Sequence, residues 1–179
     1  MIKKAMTRLN ISSLVLIFAV WADHRMRQVM FKLKPSATPY ILTALGAVPF
    51  LAAALAMLFH KNDPVMTNAA GLWLSVYAAV IVSFLGGVRW GVEIVAHDIP
   101  RKMVLGLAII GALTGWGSVL FYFQFANGWS FLIQAIAFLG YYLTDRSSHD
   151  MPTWYRRLRI WPSAAAIGCL LVGFGLLAL

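Results

Sequence analysis

Three titratable side chains recur at four-residue spacing beside one apolar stretch. Arg89, Glu93 and His97 stand at i, i+4 and i+8, so a helix through all three would place them on one face. An arginine, a carboxylate and an imidazole on one face could bind an anion or pass protons. The favoured interpretation is plainer: Arg89 ends a membrane span with its guanidinium among the headgroups and pairs with Glu93.

Small residues precede and surround Arg89. Ser83, Gly87 and Gly91 recur every four residues, as do Gly111 and Gly115 further along. Such spacing lets helix backbones approach closely in a membrane. It predicts a helix contact, more readily within the chain than between subunits.

A second polar segment, 152–161, mixes aromatic and basic side chains. Trp154, Tyr155 and Leu158 alternate with arginines in a way that gives an apolar face beside a basic one. The basic face could hold anionic lipid headgroups at Arg156, Arg157 and Arg159. The alternative, an aromatic and basic belt that anchors the last span, is favoured.

Several chemistries find no residues to carry them. All four histidines (His24, His60, His97, His149) lie outside the apolar stretches, no Asp or Glu lies inside one, and Cys169 is the single cysteine. An intramembrane haem, a thiolate metal site or an internal disulfide therefore lacks ligands, and no phosphate-loop, HExxH or GxSxG pattern occurs. The sequence predicts no catalytic, cofactor or metal site.

The elements that position these residues are membrane spans. The chain of 179 residues is 61% hydrophobic and 12% charged, which leaves too little polar surface for a water-soluble domain. Its net charge of +9 sits between apolar stretches, where lipid headgroups lie, and this argues against a nucleic-acid partner. The fold class expected is an all-α polytopic membrane bundle with five spans at 40–59, 71–90, 103–123, 129–144 and 160–179. Asn68 is expected to cap the second helix.

Basic residues predict the orientation of this bundle. Of the 15 lysines and arginines, all but Lys61 precede the first span, lie at the end of the second (Arg89), or follow the second or the fourth. The positive-inside rule then puts the N-terminus in the cytoplasm and the C-terminus on the opposite side.

Residues 1–34 are expected to form a basic N-terminal extension, separate from a single membrane domain over 35–179. Its short apolar stretch, 11–22, permits three interpretations: a signal peptide, a sixth span, or an interfacial helix or overextended gene start with initiation at Met26 or Met30. The third is favoured, because a sixth span would put three basic residues outside.

Two separated motifs carry a resemblance to a known family. The stretch 77–91, YAAVIVSFLGGVRWG, is followed downstream by Asp145-Arg146, Pro152, Trp154-Tyr155 and Leu158-Arg159, and 46–50 adds a third match. Together they resemble domain-of-unknown-function family 3429, whose eukaryotic member is transmembrane protein 69. The resemblance implies an inner-membrane protein, bacterial or mitochondrial, and it implies no activity, ligand or catalytic residue. The candidate functional face it marks comprises Tyr77, Ser83, Gly86, Gly87, Arg89, Trp90, Gly91 and Glu93, and the interfacial segment comprises Asp145, Arg146, Pro152, Trp154, Tyr155 and Arg159.

The function expected is that of a non-enzymatic inner-membrane protein, a structural, assembly or partner-binding component in contact with membrane lipids. The alternative is a small solute or ion transporter or channel that uses 77–91. A third class, an enzyme acting on lipid, would need Glu93, His97 and His149 close together.

Overall fold

The computed structural model describes residues 37–178, and within them the chain is entirely helical apart from short connections. The expected extension at 1–34, with its apolar stretch 11–22, lies outside the described residues. In chain order the helices are α1 (Thr38–Phe59), α2 (Pro64–Ala96), α3 (Lys102–Phe125), α4 (Trp129–Ser147), α5 (Thr153–Leu158) and α6 (Ile160–Ala178).

Local sequence explains where α2 begins and ends. The Asp63 carboxylate accepts hydrogen bonds from the backbone N–H groups of Val65 and Met66, and Pro64 follows at the first helical position, where its missing N–H costs nothing. The prediction that Asn68 caps this helix is therefore wrong, since the helix starts one turn earlier. At its other end α2 continues past Trp90 and stops at Ala96, before Pro100, so Arg89 and Glu93 share one continuous helix.

The turn between α3 and α4 requires a left-handed residue. Ala126 follows α3 with a φ of 46°, and its N–H is bonded to the Tyr122 carbonyl. Helix α4 then runs through Asp145 and Arg146 to Ser147, three residues beyond the predicted span. The aspartate and arginine of the second motif thus belong to the last turn of a helix.

Within residues 37–178, four helical stretches are long and apolar enough to cross a membrane: α1, α2, α3 and the run Thr153–Ala178. Large apolar side chains such as Trp73, Phe84 and Trp116 are exposed on their outer faces, as lipid contact requires. The protein is therefore a multi-pass helical membrane protein. Helix α4 falls outside this group, because its 19 residues carry Gln134, Asp145 and Arg146, and a fifth span there stays a prediction.

Helix α2 is the centre of the bundle and packs against α1, α3, α4 and α6, while α6 also packs against α1 and α4. Fully buried side chains from several helices meet there, among them Met57, Leu74, Phe131 and Leu170. Phe50 of α1 makes edge contacts with Phe138 at 5.6 Å between ring centroids, so apolar packing joins α1 to α4 directly.

Hydrogen bonds between helices complete the interior. The Gln134 amide donates to the Ser75 carbonyl of α2 and to the Ser118 hydroxyl of α3, each at 2.8 Å. Three tyrosine hydroxyls donate to carbonyls of neighbouring helices: Tyr77 to Gly46, Tyr122 to Asn68, and Tyr141 to Leu107. Polar side chains thus tie helices together where lipid and apolar packing offer no hydrogen-bond partner.

Glycines set the closest approach of α2 and α3, in a register one residue away from that expected. A Cβ on Gly86 would overlap the Ala108 carbonyl oxygen, and one on Gly115 would lie 2.9 Å from the Ala79 carbonyl oxygen. By contrast, Gly87 and Gly91 are exposed, and a Cβ on either would meet nothing within 4 Å in the described bundle. The expected internal contact through Gly87 and Gly91 is therefore wrong. Gly115 does contact α2, whereas Gly111 lies against Tyr141 of α4.

Candidate functional site

Charged side chains collect where α2, α4 and the junction of α5 and α6 come together. Three of them, Arg89, Asp145 and Arg159, lie inside the bundle and are called here the inner cluster. Four others, the buried Glu93 and the more exposed His97, Arg101 and Asp150, are called the outer cluster. Both clusters draw on residues far apart in sequence, so only the packed fold assembles them.

The inner cluster sets one carboxylate between two guanidinium groups. Asp145 Oδ1 lies 3.8 Å from Arg89 Nη1, and its Oδ2 lies 3.3 Å from Arg159 Nε. The side chains are 13% exposed for Arg89, 10% for Arg159 and 3% for Asp145. The cluster therefore carries one excess positive charge in a largely dehydrated setting.

Several polar atoms here have no hydrogen-bond partner among residues 37–178. They include Asp145 Oδ1, both Nε and Nη2 of Arg159, and the Ser163 hydroxyl. Buried polar groups in folded proteins are nearly always paired. An unpaired guanidinium nitrogen beside an unpaired hydroxyl marks a place where another acceptor would be stabilised.

In the outer cluster Glu93 is held by Arg101. Its Oε1 accepts the Arg101 backbone N–H at 2.6 Å and Nε at 2.9 Å, and its Oε2 accepts Nη2 at 2.6 Å. Arg101 Nη2 also donates to Asp150 Oδ2 at 2.6 Å. These side-chain hydrogen bonds to Glu93 and Asp150 raise the pKa of Arg101, so the guanidinium stays charged. The expected pairing of Arg89 with Glu93 gives way to two others, because Arg101 offers Glu93 a backbone donor as well as a two-pronged side chain.

Glu93, His97 and Asp150 have the composition of a metal site. Their ligand atoms lie within 4.8 Å of one another, and His97 Nδ1 lies 3.6 Å from Glu93 Oε1. Arg101, however, lies 2.6 Å from both carboxylates. Its guanidinium supplies the positive charge that a metal ion would bring, so the three residues make an ion-pair cluster around an arginine.

Two cavities meet at Arg89. One, of about 350 Å³, is lined mainly by apolar residues of α3 and α4, including Leu107, Ile136 and Tyr141. The other, of about 250 Å³, is lined by polar residues that include Arg101, His149 and Asp150. Arg89, Val104 and Thr144 line both, so an apolar space and a polar space adjoin at the guanidinium.

Some of the candidate residues named from the sequence lie in the two clusters, and the others lie elsewhere in the bundle. Arg89, Glu93, Asp145 and Arg159 belong to the two clusters. Other marked residues lie elsewhere: Tyr77 bonds to α1, Ser83 donates to the Ala79 carbonyl of its own helix, Trp90, Gly87 and Gly91 face outward, and Arg146 donates to the Tyr142 hydroxyl at the surface.

Sequence reasoning missed Arg101, Asp150 and Ser163 as site residues. Arg101 entered only as one of the basic residues after the second span that indicate the orientation. A signal did exist, since Pro100 prevents the helix from continuing and Arg101, eight residues after Glu93, can fold back onto that carboxylate. Ser163 gave no signal, because a serine in the first turn of a helix is common.

Comparison with known proteins gives one match. A protein-family model described as "Protein of unknown function (DUF3429)" matches residues 35–175, which confirms the family suggested by the two motifs. No curated protein and no solved structure matches the chain. The narrower likeness to transmembrane protein 69 stays a prediction.

Proposed function

Since the chain belongs to the DUF3429 family of proteins of unknown function, we propose that it is a non-enzymatic inner-membrane protein, a structural, assembly or partner-binding component. One observation carries the proposal. Charged residues of the two sequence motifs pair across helices, Arg89 and Arg159 with Asp145, and beside them Glu93 pairs with Arg101. Side chains engaged in this way hold elements in place and are poor candidates for carrying a proton or a substrate in turn.

The proposed topology has five spans, with the N-terminus inside and the C-terminus outside. Its support is the one-sided distribution of basic residues and the length of α4. Nineteen residues of helix extend roughly 28 Å, close to the hydrocarbon thickness of about 30 Å. In this orientation both charged clusters lie at the cytoplasmic face, in the membrane of a bacterium or the mitochondrial inner membrane.

Surface arginines are proposed to contact anionic headgroups at that face. Arg157 is exposed, and Arg156 is half-buried and donates to the Arg146 carbonyl. Exposed basic residues at a membrane surface gain roughly 1 kcal/mol each from anionic lipids. Arg159 was grouped with them by sequence, but it is buried and paired with Asp145.

A flux assay tests the proposal. Purified protein in liposomes with a trapped pH-sensitive dye is expected to give the same proton and ion leak as empty liposomes. Arg89→Ala and Glu93→Gln are expected to leave that leak unchanged while lowering the melting temperature in detergent. A flux by the unmodified protein that either substitution abolishes would overturn the non-transporting role.

The second candidate function is a small solute or ion transporter or channel. The observation that favours it is the junction of a polar and an apolar cavity at Arg89. It predicts that Gly140→Trp, which places an indole in the apolar cavity, stops a measurable flux without unfolding the protein. Gly140 suits this purpose because a Cβ there meets nothing within 4 Å among the described residues.

An enzyme acting on lipid is the least supported class. Glu93 and His97 are adjacent and His149 lines the polar cavity beside them. The Glu93 carboxylate, however, already accepts three hydrogen bonds of 3.0 Å or less from Arg101. A carboxylate stabilised in this way is a weak general base.

A further inference from the structure

A third cavity, of about 260 Å³, reaches the inner cluster at Arg159, whereas the other two reach it at Arg89. It is lined by residues of α1, α2, α4, α5 and α6, among them Leu42, Phe50, Phe84 and Phe138, and at one place by Arg159 and Ser163. Leu42 and Phe84 are each 62% exposed. Because these wall residues also face outward, the cavity opens on the apolar outer surface of the bundle, where acyl chains lie.

The polar part of this cavity is built from buried donors. Arg159 is 9% exposed and Ser163 is 3% exposed. Arg159 Nη2 and the Ser163 hydroxyl find no hydrogen-bond partner within the described residues, and Arg159 Nε faces Asp145 in ion-pair contact without a hydrogen bond. A guanidinium and a hydroxyl four residues apart on adjoining helical turns offer two donors to one acceptor.

Charge balance specifies the sign of that acceptor. Within the inner cluster Arg89 and Arg159 share the single carboxylate of Asp145. The two carboxylates of the outer cluster are bound by Arg101, so Arg159 has only a share of one carboxylate. Burying an unpaired charge is costly, and an oxyanion beside Arg159 would remove that cost. A neutral ligand would not.

We propose that this cavity binds an anionic membrane lipid, with an oxyanion of its headgroup, phosphate or carboxylate, accepting hydrogen bonds from Arg159 and Ser163. The acyl chain lies over the aromatic wall formed by Phe84 and Phe138 and leaves the bundle past Leu42. The site differs from the surface arginines at 156 and 157, since its arginine is buried and most of its lining is apolar. It goes beyond the proposed function and does not depend on it, because the flux assay has the same outcome with or without bound lipid.

Binding is tested on full-length protein delipidated in a neutral detergent, by native mass spectrometry and by the shift in melting temperature. The probes are dioleoyl phosphatidylglycerol, oleate, dioleoyl phosphatidylcholine and inorganic phosphate. We expect one molecule of phosphatidylglycerol or oleate to bind and raise the melting temperature. Phosphatidylcholine carries the same phosphate oxyanion but adds a choline cation, which the two guanidinium groups of the inner cluster would repel, and free phosphate has no acyl chain. Both are expected to give at most a small shift.

Two substitutions and a matched control locate the site. Ser163→Ala removes one donor without adding bulk and is expected to weaken phosphatidylglycerol binding roughly tenfold. Arg159→Gln is expected to abolish selectivity for phosphatidylglycerol over phosphatidylcholine. Arg157→Gln makes the same charge change at an exposed position and is expected to leave binding within about twofold.

Three results would overturn the proposal. The first is equal binding of phosphatidylglycerol and phosphatidylcholine, and the second is loss of binding in Arg157→Gln with retention in Ser163→Ala. The third is stabilisation by free phosphate equal to that by phosphatidylglycerol, which would assign the site to a soluble anion. If Arg159→Gln does not fold, Ser163→Leu is used in its place. Its larger side chain occupies the cavity beside an intact arginine and is expected to prevent phosphatidylglycerol binding.

Discussion

The amide nitrogen of Gln134 lies 2.8 Å from the hydroxyl oxygen of Ser118, which joins α4 to α3 in the interior of the bundle. The same amide donates to the backbone carbonyl of Ser75 in α2. One side chain therefore links three helices, and it does so at a position with no exposure.

Gln134→Leu is expected to lower stability by about 1 kcal/mol, the usual worth of a hydrogen bond between membrane helices. In melting temperature this is a loss of roughly 3 °C, measured by thermal unfolding in detergent. Gln124→Leu makes the same chemical change at an exposed position and should leave the melting temperature within about 1 °C. Equal effects at both positions would mean that the three-helix link contributes nothing.

Gly86→Ala is expected to be strongly destabilising, by about 1–3 kcal/mol, because the new methyl group would overlap the backbone oxygen of Ala108. The adjacent substitution Gly87→Ala meets open space and should be neutral or stabilising by up to about 1 kcal/mol, since alanine favours helix. Both are measured as midpoints of thermal unfolding. A larger loss at Gly87 would show that the exposed glycine face makes a contact with a second molecule.

Asp145→Asn is expected to cost more than Arg89→Gln. Removing the carboxylate leaves two buried guanidinium groups without a counter-ion, a loss of about 3 kcal/mol or more, while removing Arg89 leaves Asp145 paired with Arg159. Unfolding in detergent at low ionic strength measures the difference, with Asp98→Asn at an exposed position as the control. A smaller cost for Asp145→Asn than for Arg89→Gln would contradict the two-to-one arrangement.

Arg101→Lys is expected to loosen the connection between α2 and α3. An ammonium group cannot supply the two parallel bonds to Glu93 while also bonding Asp150, so amide hydrogen exchange at 97–101 should accelerate roughly tenfold. Lys102→Ala, at the exposed neighbouring position, should leave the exchange rates as they are. Unchanged exchange rates in Arg101→Lys would mean that the backbone hydrogen bond to Glu93 is enough to hold the connection between α2 and α3 in place.

Cysteine accessibility checks the five-span topology. In a Cys169→Ser background, Asn62→Cys is expected to react with a membrane-impermeant maleimide added from outside, and Asp98→Cys only after permeabilisation. The reason is the distribution of basic residues. Reversed labelling at either position would refute the orientation.

The long periodic features of the fold were predictable from the sequence. The extent of α2 past Trp90 follows from Arg89, Glu93 and His97 at helical spacing with Pro100 beyond them, and the hairpin of α3 and α4 follows from Asn127 and Gly128. The start of α2 was missed because Asp63 and Pro64 look like the end of the preceding apolar stretch, although together they make a cap.

Contacts between distant residues were not predictable in the same way. Arg89 and Asp145 are 56 positions apart, and their pairing depends on the rotation of α4 against α2. A difference of one residue decides that Gly86 faces Ala108 and Gly87 faces outward, which a four-residue spacing rule cannot resolve. Arg159 was assigned to the membrane surface because arginine is rarely buried, and only its packing next to Asp145 reverses that assignment.

Two of the tyrosines that contact neighbouring helices restrict which residues are tolerated at the glycines they pack against. A Cβ on Gly71 would overlap the Tyr122 hydroxyl, and one on Gly111 would overlap the Tyr141 hydroxyl. Each tyrosine can be kept only while its glycine is kept, and each glycine is free to change once its tyrosine becomes smaller. Ring carbons of both tyrosines would also overlap the added Cβ, so in related chains a larger residue at 71 or 111 should be accompanied by a side chain smaller than phenylalanine at 122 or 141.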